Sequence, residues 1–141
     1  MINKFFKIFL IILFLSPNIL VANTEYFEEG LSLFKKKKFN EAKFKFEQDI
    51  VFNPKRELSY LYLSKIFKNL KDIKLQEQNL NTVILLNPKN EEAVYSLAKL
   101  KLESSDYSKS KELNNKLISF CNKFCNRSKQ LKIEIENLSK K

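Results

Sequence analysis

The sequence predicts an all-α chain of about three helical hairpins closed by a C-terminal helix, and three observations carry that reading. Turn formers are scarce: of 141 residues one is Gly and three are Pro, too few for the tight hairpins of a sheet protein. Apolar residues recur at helical spacing, as in Leu58, Leu61, Tyr62 and Ile66, in Leu80, Val83 and Ile84, and in Leu113, Leu117, Phe120 and Phe124. Two segments also end alike, Ile50-Val51-Phe52-Asn53-Pro54-Lys55 and Ile84-Leu85-Leu86-Asn87-Pro88-Lys89, with their prolines 34 residues apart. With 44% hydrophobic residues the chain can bury one modest core, so a single domain is expected.

Residues 1–22 read as a secretory signal peptide. Lys4 and Lys7 give a positive start, Ile8 to Leu15 an unbroken apolar stretch, and Ser16-Pro17-Asn18 a break before the small Ala22, after which cleavage is expected. Removing this leader leaves 24 basic and 16 acidic residues. The alternative is an uncleaved anchor over residues 5–21, which Pro17 and Asn18 shorten. No Cys stands near the cleavage point, so a lipoprotein anchor is not expected.

The period and the shared helix ends resemble the tetratricopeptide repeat, over residues 23–124. The resemblance implies a right-handed α-α superhelix of three units, 23–56, 57–90 and 91–124. Its eighth position, where the two helices of a hairpin approach closely, holds the small residues Gly30, Ser64 and Ala98. Its seventeenth, which opens the second helix, holds Phe39, Ile73 and Tyr107, and its twenty-eighth Ile50, Ile84 and Ile118. The thirtieth holds Phe52, Leu86 and Phe120, the fourth Tyr26, Tyr60 and Val94, and the twentieth, usually Ala, holds Ala42, Gln76 and Ser110.

Several positions depart from that pattern: Glu29 where an apolar residue is usual, the large Gln76, Asp49 in place of a small residue, and Asn114 where an aromatic or aliphatic one belongs. The third unit also has Asn122 in place of the closing Pro. Asn53 and Asn87 should leave the helical conformation, because a following Pro disfavours it. In residues 125–141 a thin stripe of Leu131, Ile135 and Leu138 fits a capping helix, which covers its neighbour with one face and meets water with the other; a separate interaction helix is the alternative.

The formal charge is +10, but apart from Lys35 to Lys38 the cations alternate with Glu and Asp as on solvated helix faces, and no basic-aromatic platform for nucleic acid is readable. Four like charges in a turn stay solvated; their bland role is solubility, and contact with anionic headgroups or an anionic envelope polymer is the alternative. The absence of His removes the commonest general base and most zinc sites, and one Gly cannot build a phosphate-cradling loop. No enzyme, cofactor or metal is therefore expected. Cys121 and Cys125 form a pair with a three-residue spacer, unlike a CxxC redox motif; they read either as a disulfide at the junction of the third unit and the cap or as two buried thiols.

In the repeat family the first helix of each unit lines a concave face. The resemblance therefore implies a peptide groove made by Phe27, Leu31, Phe34 and Lys35, then Leu58, Leu61, Lys65, Lys68 and Asn69, then Glu92, Tyr95, Lys99 and Leu102, an apolar floor with basic rims. Burial of Phe27, Phe34 and Leu61 against the neighbouring hairpin is the competing reading. Leader and repeat together lead to the expectation of an exported, periplasmic or otherwise extracytoplasmic scaffold that binds a protein or peptide partner in a cell-envelope complex. The alternative is a membrane-anchored oligomerising subunit, touching the membrane only through residues 5–21.

Overall fold

The computed structural model describes residues 18–140. Residues 1–17 of the expected leader, and most of the alternative anchor, lie outside the described residues. Among those described there are seven helices and no strand: α1 (Asn18–Lys35), α2 (Phe39–Phe52), α3 (Glu57–Asn69), α4 (Ile73–Leu86), α5 (Glu91–Glu103), α6 (Tyr107–Ile118) and α7 (Cys125–Leu138). None is long and apolar enough to cross a membrane. The chain divides into two compact units, one up to Pro54 and one from Lys55 onward.

In the first unit α1 packs on α2 as a hairpin. The contact closes at Gly30, where an added Cβ would lie 2.8 Å from the ring of Phe46. Phe46 is fully buried and meets the Phe27 ring edge-on at 5.7 Å. Tyr26 stacks on Phe52 at 5.6 Å, and Lys45 pairs with Glu29, so that hydrogen bond keeps the ammonium charged above its usual range. Glu29, irregular by the repeat pattern, thus has a partner on the facing helix.

The second unit contains the hairpins α3–α4 and α5–α6, with α7 packed on α6 and touching α5. Its core joins Leu61, Leu80, Val83, Val94, Leu97, Leu113 and Leu117 to Leu131 and Ile135 of α7. Leu131 and Ile135 cover the third hairpin, while Leu138, the third residue of the stripe read from the sequence, and Ile133 stay exposed. Ala98 is buried, and Ser110 of α6 donates from its hydroxyl to the Ala98 carbonyl at 2.8 Å, so the twentieth position here closes on the eighth.

The 34-residue period recurs in backbone geometry. The second helices begin at Phe39, Ile73 and Tyr107, as the repeat pattern requires. Each hairpin turn carries one residue in the left-handed region, Lys37 (φ 59°), Lys71 (φ 60°) and Ser105 (φ 63°), none of them Gly. The backbone bonds repeat as well. Lys38, Asp72 and Asp106 donate to carbonyls five residues back, on Leu33, Phe67 and Lys101, and so close the helix ends that would otherwise leave carbonyls orphaned. Asp72 and Asp106 then cap the next helices through the Leu75 and Lys109 amides, whereas Lys38 offers no side-chain cap to α2.

A side chain in the left-handed region costs about 1 kcal/mol, which Gly avoids at a smaller entropic cost in the unfolded chain. Ser105→Gly is therefore expected to raise the unfolding midpoint by a few degrees, corresponding to roughly 0.5–1 kcal/mol. Calorimetry on the variant checks it, and a lowered midpoint would mean the turn stores no strain.

Between hairpins, Asn53 (φ −127°) and Asn87 (φ −140°) leave the helix as expected before Pro. The third unit differs. Without its Pro, α6 ends at Ile118, and the loop to α7 is closed by a Cys121–Cys125 disulfide with Cα atoms 5.3 Å apart. The buried Asn114, also irregular by sequence, donates from Nδ2 to the Ser128 carbonyl at 3.0 Å and accepts from the Ser128 hydroxyl at 2.7 Å, fastening α6 to α7.

Candidate functional site

The surface with the most candidate residues in place is the face of α3, α5 and α7 in the second unit. Lys65 on α3 reaches Glu92 on α5 at 2.8 Å, and Lys99 on α5 reaches Glu134 on α7 at 3.1 Å, so ion pairs cross both seams. The hydrogen bond from Lys99 to Glu134 raises the pKa of the lysine. The Lys65 ammonium also lies 4.8 Å from the centre of the Tyr62 ring. Tyr95 packs against Phe124 at 5.5 Å, and Arg127 lies 5.0 Å from the Phe124 ring on the α7 side. Between α5 and α7 a cleft of about 410 Å³ opens beside Tyr95 and Lys99, with Ile133 and Glu134 across from them.

This placement corrects the groove drawn from sequence. Phe27, Leu61 and Leu102 are buried in their own units and offer no floor. An amphipathic stripe is wider than a groove, and the residues at its centre face the second helix of the same hairpin. Leu31 and Phe34 are half-buried on α1, with Phe34 edge-on to Phe39 at 5.6 Å, while Lys35 is exposed at the helix end. Leu58 is 44% exposed and is the apolar residue of α3 most open to a ligand. Asn69 donates its side-chain amide to the Lys65 carbonyl at 2.8 Å, so it ties off its own helix. Lys68 is exposed but lines a different cleft, away from Tyr95. The basic rims are also corrected: Lys65 and Lys99 are already paired with acids from neighbouring helices. A ligand here meets aromatic surface and exchangeable ion pairs of both signs, not free positive charge.

Two residues that order this face went unnoticed in the sequence. Glu57 and Glu91, 34 residues apart, both open a first helix and both reach the start of the following one. Glu57 accepts from the side chains of Asn87 (3.0 Å) and Asn90 (3.2 Å), and Asn90 in turn caps α5 through the Ala93 amide at 2.9 Å. Glu91 accepts the Phe124 amide at 2.7 Å, at the entrance to α7. Their recurrence at the repeat period was the available signal.

Backbone N–H groups, that of Phe124 most and those of Asn122 and Lys123 less, hold the Glu91 carboxyl below its usual pKa. A lowered folded value means the contribution is present above the unfolded pKa of about 4.3 and is lost as pH falls through the folded value. Glu91→Gln is expected to lose less stability than the native chain between about pH 5 and pH 3, because the glutamine has no proton to gain. Urea midpoints at the two pH values check this, and parallel losses would mean the bonds do not favour the charged form.

Comparison of the sequence with protein-family models and with curated proteins finds no match. Solved structures do match in fold. The TPR2B domain of yeast Sti1, in a complex described as TPR2B with pHsp70, superposes with a TM-score of 0.76 at 15% identity, over 84% of this chain and 98% of that one. The Yersinia enterocolitica type III secretion chaperone SycD, bound to a peptide of the translocator YopD, gives 0.74 at 14% identity over 90% and 98%. The first TPR domain of Spaghetti (RPAP3), bound to the HSP90 peptide SRMEEVD, gives 0.71 at 16% identity over 83% and 93%. The fold is that of tetratricopeptide-like helical hairpins.

Proposed function

Starting from a tetratricopeptide-like fold, we propose that this chain is an exported, non-enzymatic adaptor that holds a protein or peptide partner on the face of α3, α5 and α7. The cleft beside Tyr95 carries the reading. It combines aromatic surface, which supplies burial at little entropic cost, with charged pairs that can exchange partners and so set register. That similar structures were solved with peptides bound, from HSP90 and from YopD, supports a partner of the same class. A sequence without His, and with one Gly, supports a binding role over catalysis.

The extracytoplasmic and cell-envelope setting rests on residues 1–22, with Lys4 and Lys7 before an apolar stretch. The anchored alternative draws support from one observation: residues 18–22 of the expected leader belong to α1. Intact mass and N-terminal sequence of the protein from its native host decide between them. A start near Asn23 is expected; a retained Met1 in the membrane fraction favours the anchor. Cross-linking through a photoreactive group at Tyr95, in envelope extract, is expected to capture a discrete protein partner, and capture no stronger than from an exposed position on α4 would defeat the adaptor reading.

A further inference from the structure

A second cleft of about 350 Å³, sharing no lining residue with the one beside Tyr95, lies where the turn of the α3–α4 hairpin meets the end of α5. Its lining includes Gln76, the residue that stands where the other hairpins have Ala42 and Ser110. Gln76 is 7% exposed, yet no described residue hydrogen-bonds its side-chain amide. Its polar atoms are not sealed from solvent, so the amide turns a free donor and a free acceptor to the cleft that it lines. Ser110, at the same place in the next hairpin, spends its hydroxyl on the Ala98 carbonyl, so the open amide is particular to this hairpin and not to the fold.

The other walls say what would complete it. Ile73, 59% exposed at the start of α4, and Leu100 of α5 give an apolar side. Lys68 and Lys71 stand on the lining with no ion-pair partner among the described residues, and Glu103 is the one acid there. The cleft therefore keeps a net positive charge, unlike the face beside Tyr95, where Lys65 and Lys99 are paired.

We propose that this cleft is a second docking site on the adaptor, taking an acidic segment of a protein partner: an apolar side chain enters against Ile73 and Leu100. The backbone N–H and C=O of one extended residue of that segment, which point to the same side, pair with the Gln76 amide through one N–H···O bond in each direction, and neighbouring carboxylates meet Lys68 and Lys71. An extended residue complements a primary amide because its N–H and C=O lie side by side, as do the carbonyl oxygen and one N–H of the Gln76 amide. The charge selects acidic over basic sequences. The inference rests on the adaptor reading but concerns a separate surface.

Its test is a titration of the isotopically labelled chain with capped octapeptides alternating Glu with Leu, Ile or Phe, followed by NMR. Saturable shifts of the Gln76 side-chain amide and of the Ile73 and Leu100 methyl groups are expected. Peptides with Lys in place of Glu should bind at least about tenfold more weakly, and the joint Lys68→Glu, Lys71→Glu variant should reverse that order. Gln76→Ala, which installs the residue its counterpart already has in the first hairpin, should fold and bind the acidic peptides about three- to tenfold more weakly. Shifts confined to Tyr95 and Lys99 would overturn this site and leave the adaptor reading standing, whereas shifts at neither face would count against both. Equal binding of acidic and basic peptides, or unchanged binding by Gln76→Ala, would also overturn it.

Discussion

Phe46→Ala is expected to lower the stability of the first hairpin by about 3–5 kcal/mol, the usual loss for a fully buried phenylalanine. Its more telling use is in combination. Gly30→Ala alone adds a methyl 2.8 Å from the Phe46 ring, and the ring is fully buried and held edge-on to Phe27. Overpacking of this kind costs about 1–3 kcal/mol, against which Ala regains about 1 kcal/mol of helix propensity. The single change should therefore destabilise by up to about 2 kcal/mol. With Phe46→Ala in the background the clash is gone and only the propensity gain remains, so the sign reverses. Urea unfolding of the four chains in this cycle measures the coupling. A Gly30→Ala effect of the same sign and size in both backgrounds would show that the glycine is not there to admit the ring.

The second large effect is expected at Asn114. Asn114→Leu keeps the branched shape and adds apolar surface at a somewhat larger volume, yet it should destabilise by about 2–3 kcal/mol, because Ser128 loses both an acceptor for its hydroxyl and a donor to its carbonyl inside the core. Ser128→Ala, which removes only the hydroxyl, should cost about 1 kcal/mol, and the two changes together should cost less than their sum. Hydrogen exchange locates the loss: amides of α7 should open more often, while those of α3 keep their protection. Uniform loosening of α3 through α7 would mean that the cap is not fastened separately.

The same residue shows where sequence reasoning reached and where it stopped. Helix starts at Phe39, Ile73 and Tyr107, breaks at Asn53 and Asn87, and the cap stripe at Leu131 and Ile135 were all legible, since each depends on local propensity or on the period. Asn114 and Glu29 looked like defects because their partners, Ser128 and Lys45, come from other helices. The groove was legible only as a set of helices. Leu58 and Leu61 both lie on the apolar stripe of α3, and three residues of helical rotation decide that one is open and the other buried. The pairing of Lys65 with Glu92, and of Lys99 with Glu134, depends on how neighbouring helices sit side by side, which no spacing within one helix encodes.

The manner in which α7 ends the second unit has a consequence for behaviour at high concentration. An unfinished repeat array presents an adhesive edge, onto which the first helix of another molecule can stack, and head-to-tail contacts of that type propagate into filaments. Here the edge is spent on Leu131 and Ile135, locked by Asn114 and stapled by the disulfide, and the outer side of α7 shows Lys129, Lys132 and Glu136 to water. Stacking of a second copy on α7 meets these charges, and the apolar residues it would need, Leu131 and Ile135, are already buried against the third hairpin, which disfavours head-to-tail contact at this helix.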